Sequence, residues 1–214
     1  FHLSLLASLG ATQKPPFKTI ITHGFIVDKD GRKMSRSQGN ALDVESLLKQ
    51  YGAEVCRWWV GTLSYENDIK VDLSFFDIAS DAYRKIRNTI RFLLSNIHDL
   101  DRTTHTVSDR DIALQQLDPH SINAYILTQA HTLQTTVESA YSQFKFKTAS
   151  QAIYQFCNDD LSSFYCMAVK DRLYCDIPDS TRRRETQYTL WKLLDILCRL
   201  LFPIIPHTSE EASQ

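Results

Sequence analysis

The sequence predicts a mainly α protein: an antiparallel helical bundle preceded by a small α/β region. Two observations carry that expectation. From about Ser74 onward, apolar residues recur four times at the i, i+3, i+4, i+7 spacing that lines one face of a long helix. Before that point the texture is mixed, and one stretch rich in Ile, Thr and Phe reads as a strand, too little to close a sheet. The expected division falls at residues 1–73 and 74–214.

Taken in order, Leu3 to Leu9 reads as a short helix, followed by a loop at Pro15-Pro16 and a strand from Phe17 to Val27. Asp30-Gly31 marks a turn. Asp43 is placed to cap a helix that runs to Tyr51 and ends at Gly52, and Ala53 to Leu63 forms another around Trp58 and Trp59. In the bundle the first buried face is Tyr83, Ile86, Ile90, Leu93, Leu94 and Ile97, and the second is Ile122, Ile126, Ala130, Leu133, Val137 and Phe144. The third is Ile153, Phe156, Cys157, Phe164, Tyr165 and Ala168. The fourth is Trp191, Leu194, Leu197, Cys198 and Leu201, stopped by Pro203 and Pro206. Long helices with one apolar face each bury those faces against one another. Asp99 to Pro119 is polar and largely aperiodic, and is expected to be the longest loop. Thr208-Ser209-Glu210-Glu211 reads as a further helix start, with Thr208 as N-cap and Glu211 as its capping-box partner.

With 43% hydrophobic residues among 214, the chain can bury a real core, and no apolar run approaches the roughly 18 residues a membrane span requires. A cytoplasmic monomer is expected, or an organellar one if a transit peptide precedes it. The sequence starts at Phe1 and holds methionine only at Met34 and Met167, so it is expected to be a cut piece of a longer chain. The net charge of −1 argues against a generally basic nucleic-acid binder, so any RNA contact has to be a local patch. Cys56, Cys157, Cys166, Cys175 and Cys198 are odd in number and include no C-x-x-C pair. They read as reduced, mostly buried thiols, with no metal site expected.

The chemistry is concentrated in Lys33-Met34-Ser35-Arg36-Ser37-Gln38-Gly39-Asn40. Two cations on a loop of small residues suit a leaving group made of phosphates, whose charge has to be neutralised as it develops. A motif this short recurs by chance, and an ordinary solvated hairpin tip could carry it. Matched segments on both sides decide against an ordinary tip. Thr22-His23-Gly24-Phe25, Asp30-Gly31-Arg32-Lys33-Met34-Ser35, Gly39-Asn40, Tyr51-Gly52-Ala53-Glu54 and Arg57-Trp58-Trp59-Val60 resemble class I aminoacyl-tRNA synthetases for branched aliphatic amino acids. Tyr83 to Leu94, Leu161-Ser162-Ser163-Phe164-Tyr165 and Lys170-Asp171-Arg172-Leu173-Tyr174 look like the isoleucyl-tRNA synthetase family of bacterial or organellar type.

That resemblance implies that residues 1–73 are a remnant of a Rossmann-type catalytic domain and that 74–214 are an anticodon-binding bundle. It also implies a two-step ligase that makes isoleucyl-adenylate from isoleucine and ATP with Mg2+, then charges tRNA(Ile). Lys33, Ser35, Arg36 and Ser37 would bind ATP on its pyrophosphate side, with Arg36 standing where the family usually has lysine. Gly31 and Gly39 would let the loop move, and Met34 would be an apolar anchor. Arg84, Arg87, Arg91, Lys170 and Arg172 are candidate tRNA contacts. For the helix arginines a solvated edge is the competing reading, and Arg182-Arg183-Arg184 poses the same choice. Trp58, Trp59 and Trp191 read as core, and His23 as a hydrogen-bonded structural histidine. No His-x-Gly-His occurs in the sequence, so half of the family's ATP site is absent. These residues alone are expected to be inactive, with no catalytic residue and no bound cofactor of their own. A valyl or leucyl enzyme, or a non-catalytic tRNA-binding module, remains the alternative.

Overall fold

The computed structural model describes residues 1–28, 30–35, 39–40, 42–100 and 106–214, the side chain of Val107 aside. After α1 (His2–Thr12), the chain runs without regular structure to β1 (Ile26–Val27), which pairs in parallel with β2 (Ile69–Lys70). The expected strand from Phe17 is therefore reduced to two residues. Its apolar side chains have little to pack on, and Ile20 and Ile21 stay exposed. Backbone pairing to the β2 segment starts only at Gly24, whose N–H donates to the Tyr65 carbonyl at 2.8 Å. At that point the two chains nearly touch, for a Cβ on Gly24 would lie 2.2 Å from the Asn67 backbone.

Between the strands lie α2 (Val44–Tyr51) and α3 (Ala53–Gly61). Asp43 caps α2 by accepting from the Ser46 N–H at 3.1 Å, as its position predicted. Gly52 has φ 82° and ψ 160°, a backbone open to glycine alone, which turns the chain directly from α2 into α3. Trp58 and Trp59 are buried, and Trp59 meets Phe76 of α4 (Ser74–Ser95) at 4.6 Å between ring centroids.

The bundle is built from α4, α6 (Ile122–Ser142), α7 (Phe146–Gln155) with its continuation, and α10 (Thr181–Leu201). Ile86, Ile90 and Leu93 on α4, with Ile126, Ala130, Leu133 and Val137 on α6, lie in the core as their spacing predicted. The third face differs. After α7 the chain continues as a π-helical segment (Phe156–Tyr165), then α8 (Cys166–Ala168) and α9 (Lys170–Tyr174). A π turn takes in more residues than an α turn and rotates the stripe. Leu161, Tyr165 and Val169 are buried, while Phe164 and Ala168 turn outward. Phe144 also leaves the predicted face. It ends α6 at φ 58°, half exposed, where its carbonyl accepts from the Tyr65 hydroxyl at 2.8 Å.

Two further expectations are corrected. The stretch expected to be a loop contains α5 (Val107–Gln115), opened by a reciprocal capping box between Thr106 and Asp109. It docks through Arg110, whose guanidinium sits 4.6 Å from the Trp191 ring on α10. Thr208 does not cap a helix, because α11 (Pro206–Ser213) begins two residues earlier with Pro206 in its first turn. The Thr208 hydroxyl instead bonds that of Tyr83 at 2.8 Å. No helix among the described residues is long and apolar enough to cross a membrane.

The closeness of Gly24 to the 65–68 segment yields a direct test. Gly24→Ala should lower stability by about 1–3 kcal/mol in urea titrations, since the added methyl meets backbone that cannot move aside cheaply. Gly10→Ala, with open space at its Cβ, serves as the control and should not destabilise.

Candidate functional site

The loop after β1 is held by one carboxylate. Asp28 Oδ1 accepts from the N–H groups of Asp30 at 3.0 Å and Arg32 at 2.8 Å, while Oδ2 accepts from Asn40 Nδ2 at 2.9 Å. Asn40 Oδ1 in turn accepts from the Ser35 N–H at 2.9 Å. These bonds buckle the outgoing and returning arms of the loop together. Gly31 at φ 81° and Gly39 at φ 68° both adopt the left-handed backbone that favours glycine. The Asn40 amide, and next the Arg32 N–H, hold the Asp28 carboxyl below its ordinary value of 3.8. Its ionised form is thus the one the loop is built around.

Lys33 and Met34 lie on the outgoing arm. The Lys33 backbone bridges Val27 in antiparallel fashion, and the Met34 N–H donates to the Ile26 carbonyl at 3.3 Å. Met34 packs inward, with Leu42, Leu47, Cys56 and Trp59 around the same apolar cleft, which is the anchoring expected of it. The Lys33 Nζ rests 4.3 Å from the centroid of the Phe25 ring. An exposed cation–π contact contributes only about 0.5–1 kcal/mol, whereas a hydrogen bond between charged groups contributes about 1.5–3. A phosphate oxygen can therefore draw Lys33 off the ring. Arg36 and Ser37 lie outside the described residues.

The bundle candidates fall into two groups. Arg84, Arg87 and Arg91 are exposed along one side of α4, and Arg84 makes only an exposed pair with Asp81. Lys170 and Arg172 lie on α9, some way along the chain from that row, and the Lys170 Nζ contacts the Met167 sulfur at 3.1 Å. Arg183 and Arg184 are different. Arg183 Nη1 donates to Asp99 Oδ2 at 2.7 Å and its Nε to the Leu173 carbonyl, while Gln187 Nε2 donates to Asp99 Oδ1 at 2.6 Å. Burial pushes the Asp99 carboxyl up, but the Arg183 and Gln187 hydrogen bonds outweigh it and hold the group below 3.8. Both arginines hold the end of α4 to the start of α10. His23 is an exposed residue whose Nδ1 bonds the Gly24 carbonyl.

Sequence reasoning missed the roles of Asp28, Glu54 and Arg57. The signal for Asp28 was present: an Asp two residues ahead of an Asp-Gly turn is placed to accept from the backbone beyond it. Glu54 accepts from the His207 and Thr208 N–H groups at 3.3 and 3.2 Å, capping α11 from α3. Arg57 donates through Nε to the Ile204 carbonyl at 2.8 Å and through Nη2 to the Pro203 carbonyl at 3.0 Å. No local pattern could reveal partners about 150 residues away.

Comparison with known proteins gives consistent results. Residues 1–72 match the family model for class I tRNA synthetases (I, L, M and V), and residues 123–214 match that for the anticodon-binding domain of tRNA ligases. The chain is 39% identical over 211 residues to the isoleucine–tRNA ligase of Syntrophotalea carbinolica and 41% identical over 211 residues to that of Desulforamulus reducens. In both, 99% of this chain aligns with 22% of the relative, so the chain spans about a fifth of their length. Among solved structures, methionyl-tRNA synthetase of Mycobacterium tuberculosis bound to methionyl-adenylate superposes with TM-score 0.68 at 20% identity, covering 97% of this chain and 40% of that one. An Agrobacterium radiobacter LeuRS complex with tRNA and LeuAMS gives 0.63 at 20% identity, covering 98% and 24%. At that identity the two structures speak for the fold.

The separation of structural from surface arginines is measurable. Arg183→Ala should cost about 1–3 kcal/mol, the range for leaving buried polar groups unsatisfied, while Arg84→Ala should stay within about 0.5 kcal/mol. Because the folded Asp99 carboxyl is depressed, its contribution is present above its unfolded pKa and is lost as pH falls through the lower folded value. Asp99→Asn should therefore flatten the acid limb of the stability curve. An Arg183→Ala protein as stable as the Arg84→Ala one would contradict the structural assignment.

Proposed function

The chain belongs to the class I tRNA synthetases, matching isoleucine–tRNA ligases along almost all of its length, and on that premise we propose that it supplies two parts of such a ligase. The first, residues 1–73, is the pyrophosphate side of the ATP site. The second, residues 74–214, is the surface that holds the anticodon arm of tRNA(Ile). The full ligase joins the isoleucine carboxylate to the α-phosphate of ATP, releasing pyrophosphate. It then passes the acyl group to the terminal ribose of tRNA and releases AMP.

The observation that carries this reading is the buckled loop bearing Lys33 and Ser35, set between segments that match the class I family. As the bond to the α-phosphate breaks, negative charge grows on the departing β- and γ-phosphates. Lys33 and Arg36 neutralise it, and Ser35 and Ser37 add hydroxyl donors. Mg2+, bound with ATP, would share in neutralising that charge. The bonds among Asp28, Asn40 and Ser35 fix the arm that carries Lys33 before ATP binds, which leaves the lysine side chain to swing from Phe25 to the phosphates.

Arg84, Arg87 and Arg91, one exposed row on α4, are the proposed contacts to the tRNA backbone, with Lys170 and Arg172 on α9 as further candidates. The near-neutral charge leaves such a patch as the source of affinity. A cytoplasmic monomer fits these assignments. The identity to isoleucine–tRNA ligases favours isoleucine over valine or leucine as the substrate, and the family-type loop favours a ligase over a simple RNA-binding module.

One experiment with two readouts tests the proposal. In the full-length gene product, isoleucine-dependent exchange of pyrophosphate into ATP should be present, and Lys33→Ala should slow it by about 10–1,000-fold with the isoleucine KM little changed. The 214-residue chain alone should show no exchange, and its binding of tRNA should weaken at least tenfold between 50 and 200 mM salt on the order expected for a few phosphate contacts. Exchange driven by another amino acid, or an effect of Lys33→Ala confined to the isoleucine KM, would contradict the reading.

A further inference from the structure

We infer that Asp28 is a positioning residue for the phosphate-side loop, acting on Lys33 and Ser35 through Asn40; the inference rests on the function proposed above. Asp28 acts here through its hydrogen bonds to the loop backbone and Asn40. Its three bonds fix where the loop leaves the sheet and where it returns: two to the N–H groups of Asp30 and Arg32, one to the Asn40 amide. Asn40 then relays the constraint, since its Oδ1 accepts from Ser35 at 2.9 Å and its Nδ2 also lies 3.4 Å from the Lys33 carbonyl. Among the described residues, the bond that ties the Ser35 backbone to the returning arm thus comes from an amide that Asp28 orients.

The orientation is specified chemically. A carboxylate only accepts, so the edge of Asn40 facing Asp28 has to be Nδ2, and the edge facing Ser35 has to be Oδ1. With the amide turned over, oxygen would face the Asp28 carboxylate and NH2 would face the Ser35 N–H, two repulsions in place of two bonds. The side chain at position 28 therefore sets whether Asn40 offers its oxygen to the Ser35 N–H. The Lys33 side chain leaves the same arm one residue before Met34, and its resting place on Phe25 is weak enough to surrender. Positioning of the arm, more than the lysine's own contacts, sets where its charge is presented.

Exchanging the partners tests this. Asp28→Asn alone turns an NH2 toward the Asn40 NH2, and Asn40→Asp alone sets two carboxylates against each other. Made together they restore one donor facing one acceptor, and the new carboxylate at position 40 can still accept from Ser35. Each single variant of the full-length gene product should lower kcat for pyrophosphate exchange at least tenfold with the isoleucine KM within twofold. The pair should return to within threefold of wild type. Hydrogen exchange at the Ser35 amide should quicken at least tenfold in the singles and slow again in the pair. Singles with wild-type rates, or a pair no better than the worse single, would overturn the inference. If the wild-type protein shows no isoleucine-dependent exchange, the proposed function falls instead. The Ser35 amide and the affinity for inorganic pyrophosphate then decide the inference by the same pattern across the four proteins.

Discussion

Two side chains one turn apart on α3 set how the loop region meets the bundle. Glu54 accepts from the first-turn N–H groups of α11, and Arg57 donates to the Pro203 and Ile204 carbonyls in the turn between α10 and α11. A helix start leaves its first N–H groups without intrahelical partners and carries a partial positive charge. A carboxylate at the beginning of α11 matches both requirements, and the guanidinium satisfies the carbonyls of the turn before it. Nothing local supplies these partners, for Pro206 has no side-chain acceptor and Ile205 makes no capping bond. The corner between the last two helices is therefore completed by a helix from the other end of the chain.

From that grip the rest of the packing follows. Gly61 ends α3 against Ile204, close enough that an added Cβ would lie 3.1 Å from its side chain, and the Gly61 carbonyl accepts from the buried Ser150 on α7. On the other side, Phe76 receives both Trp59 and Tyr51, so α2, α3 and α4 share one aromatic contact set. Met34 and Leu42 pack onto the same core from the loop. The loop after β1 thus stands on α2 and α3, and α3 stands on the bundle. A displacement at the α10–α11 corner has a continuous path of packed side chains toward Lys33.

Much of this was legible in the sequence wherever a structure is decided by near neighbours. The α2 cap at Asp43, the break at Gly52 and most of the first, second and fourth buried faces, Leu94 and Phe144 apart, depend on residues within a few positions of one another. Errors arose where distant partners decide. Phe17 to Phe25 has strand-forming residues, yet a strand needs a ladder, and pairing is available only from Gly24 onward. The π-helical segment shifted Phe164 off the core because an extra residue per turn defeats a 3.6-residue pattern. Helix α5 escaped notice because it buries little apolar surface and is held by a capping box and by Arg110 stacked on Trp191. At the site, the motif pointed to candidate cations but gave no sign of the buckle that joins Asp28 to Asn40. For the arginine triplet the sequence left RNA contact and charged helix start open, and Asp99, eighty-four residues from Arg183, supplies a structural partner for two of the three.

The claim at the centre of this account is that Glu54 and Arg57 make the loop region and the bundle one cooperative unit. Hydrogen exchange across a denaturant series, comparing amides of residues 26–34 with those of residues 190–201, measures it directly. In the wild-type chain both sets should open in a single transition with a common dependence on denaturant. With Glu54→Ala and Arg57→Ala combined, residues 26–34 should open at lower denaturant than residues 190–201. Two separate transitions in the wild-type chain, or one unchanged common transition in the double variant, would contradict the account.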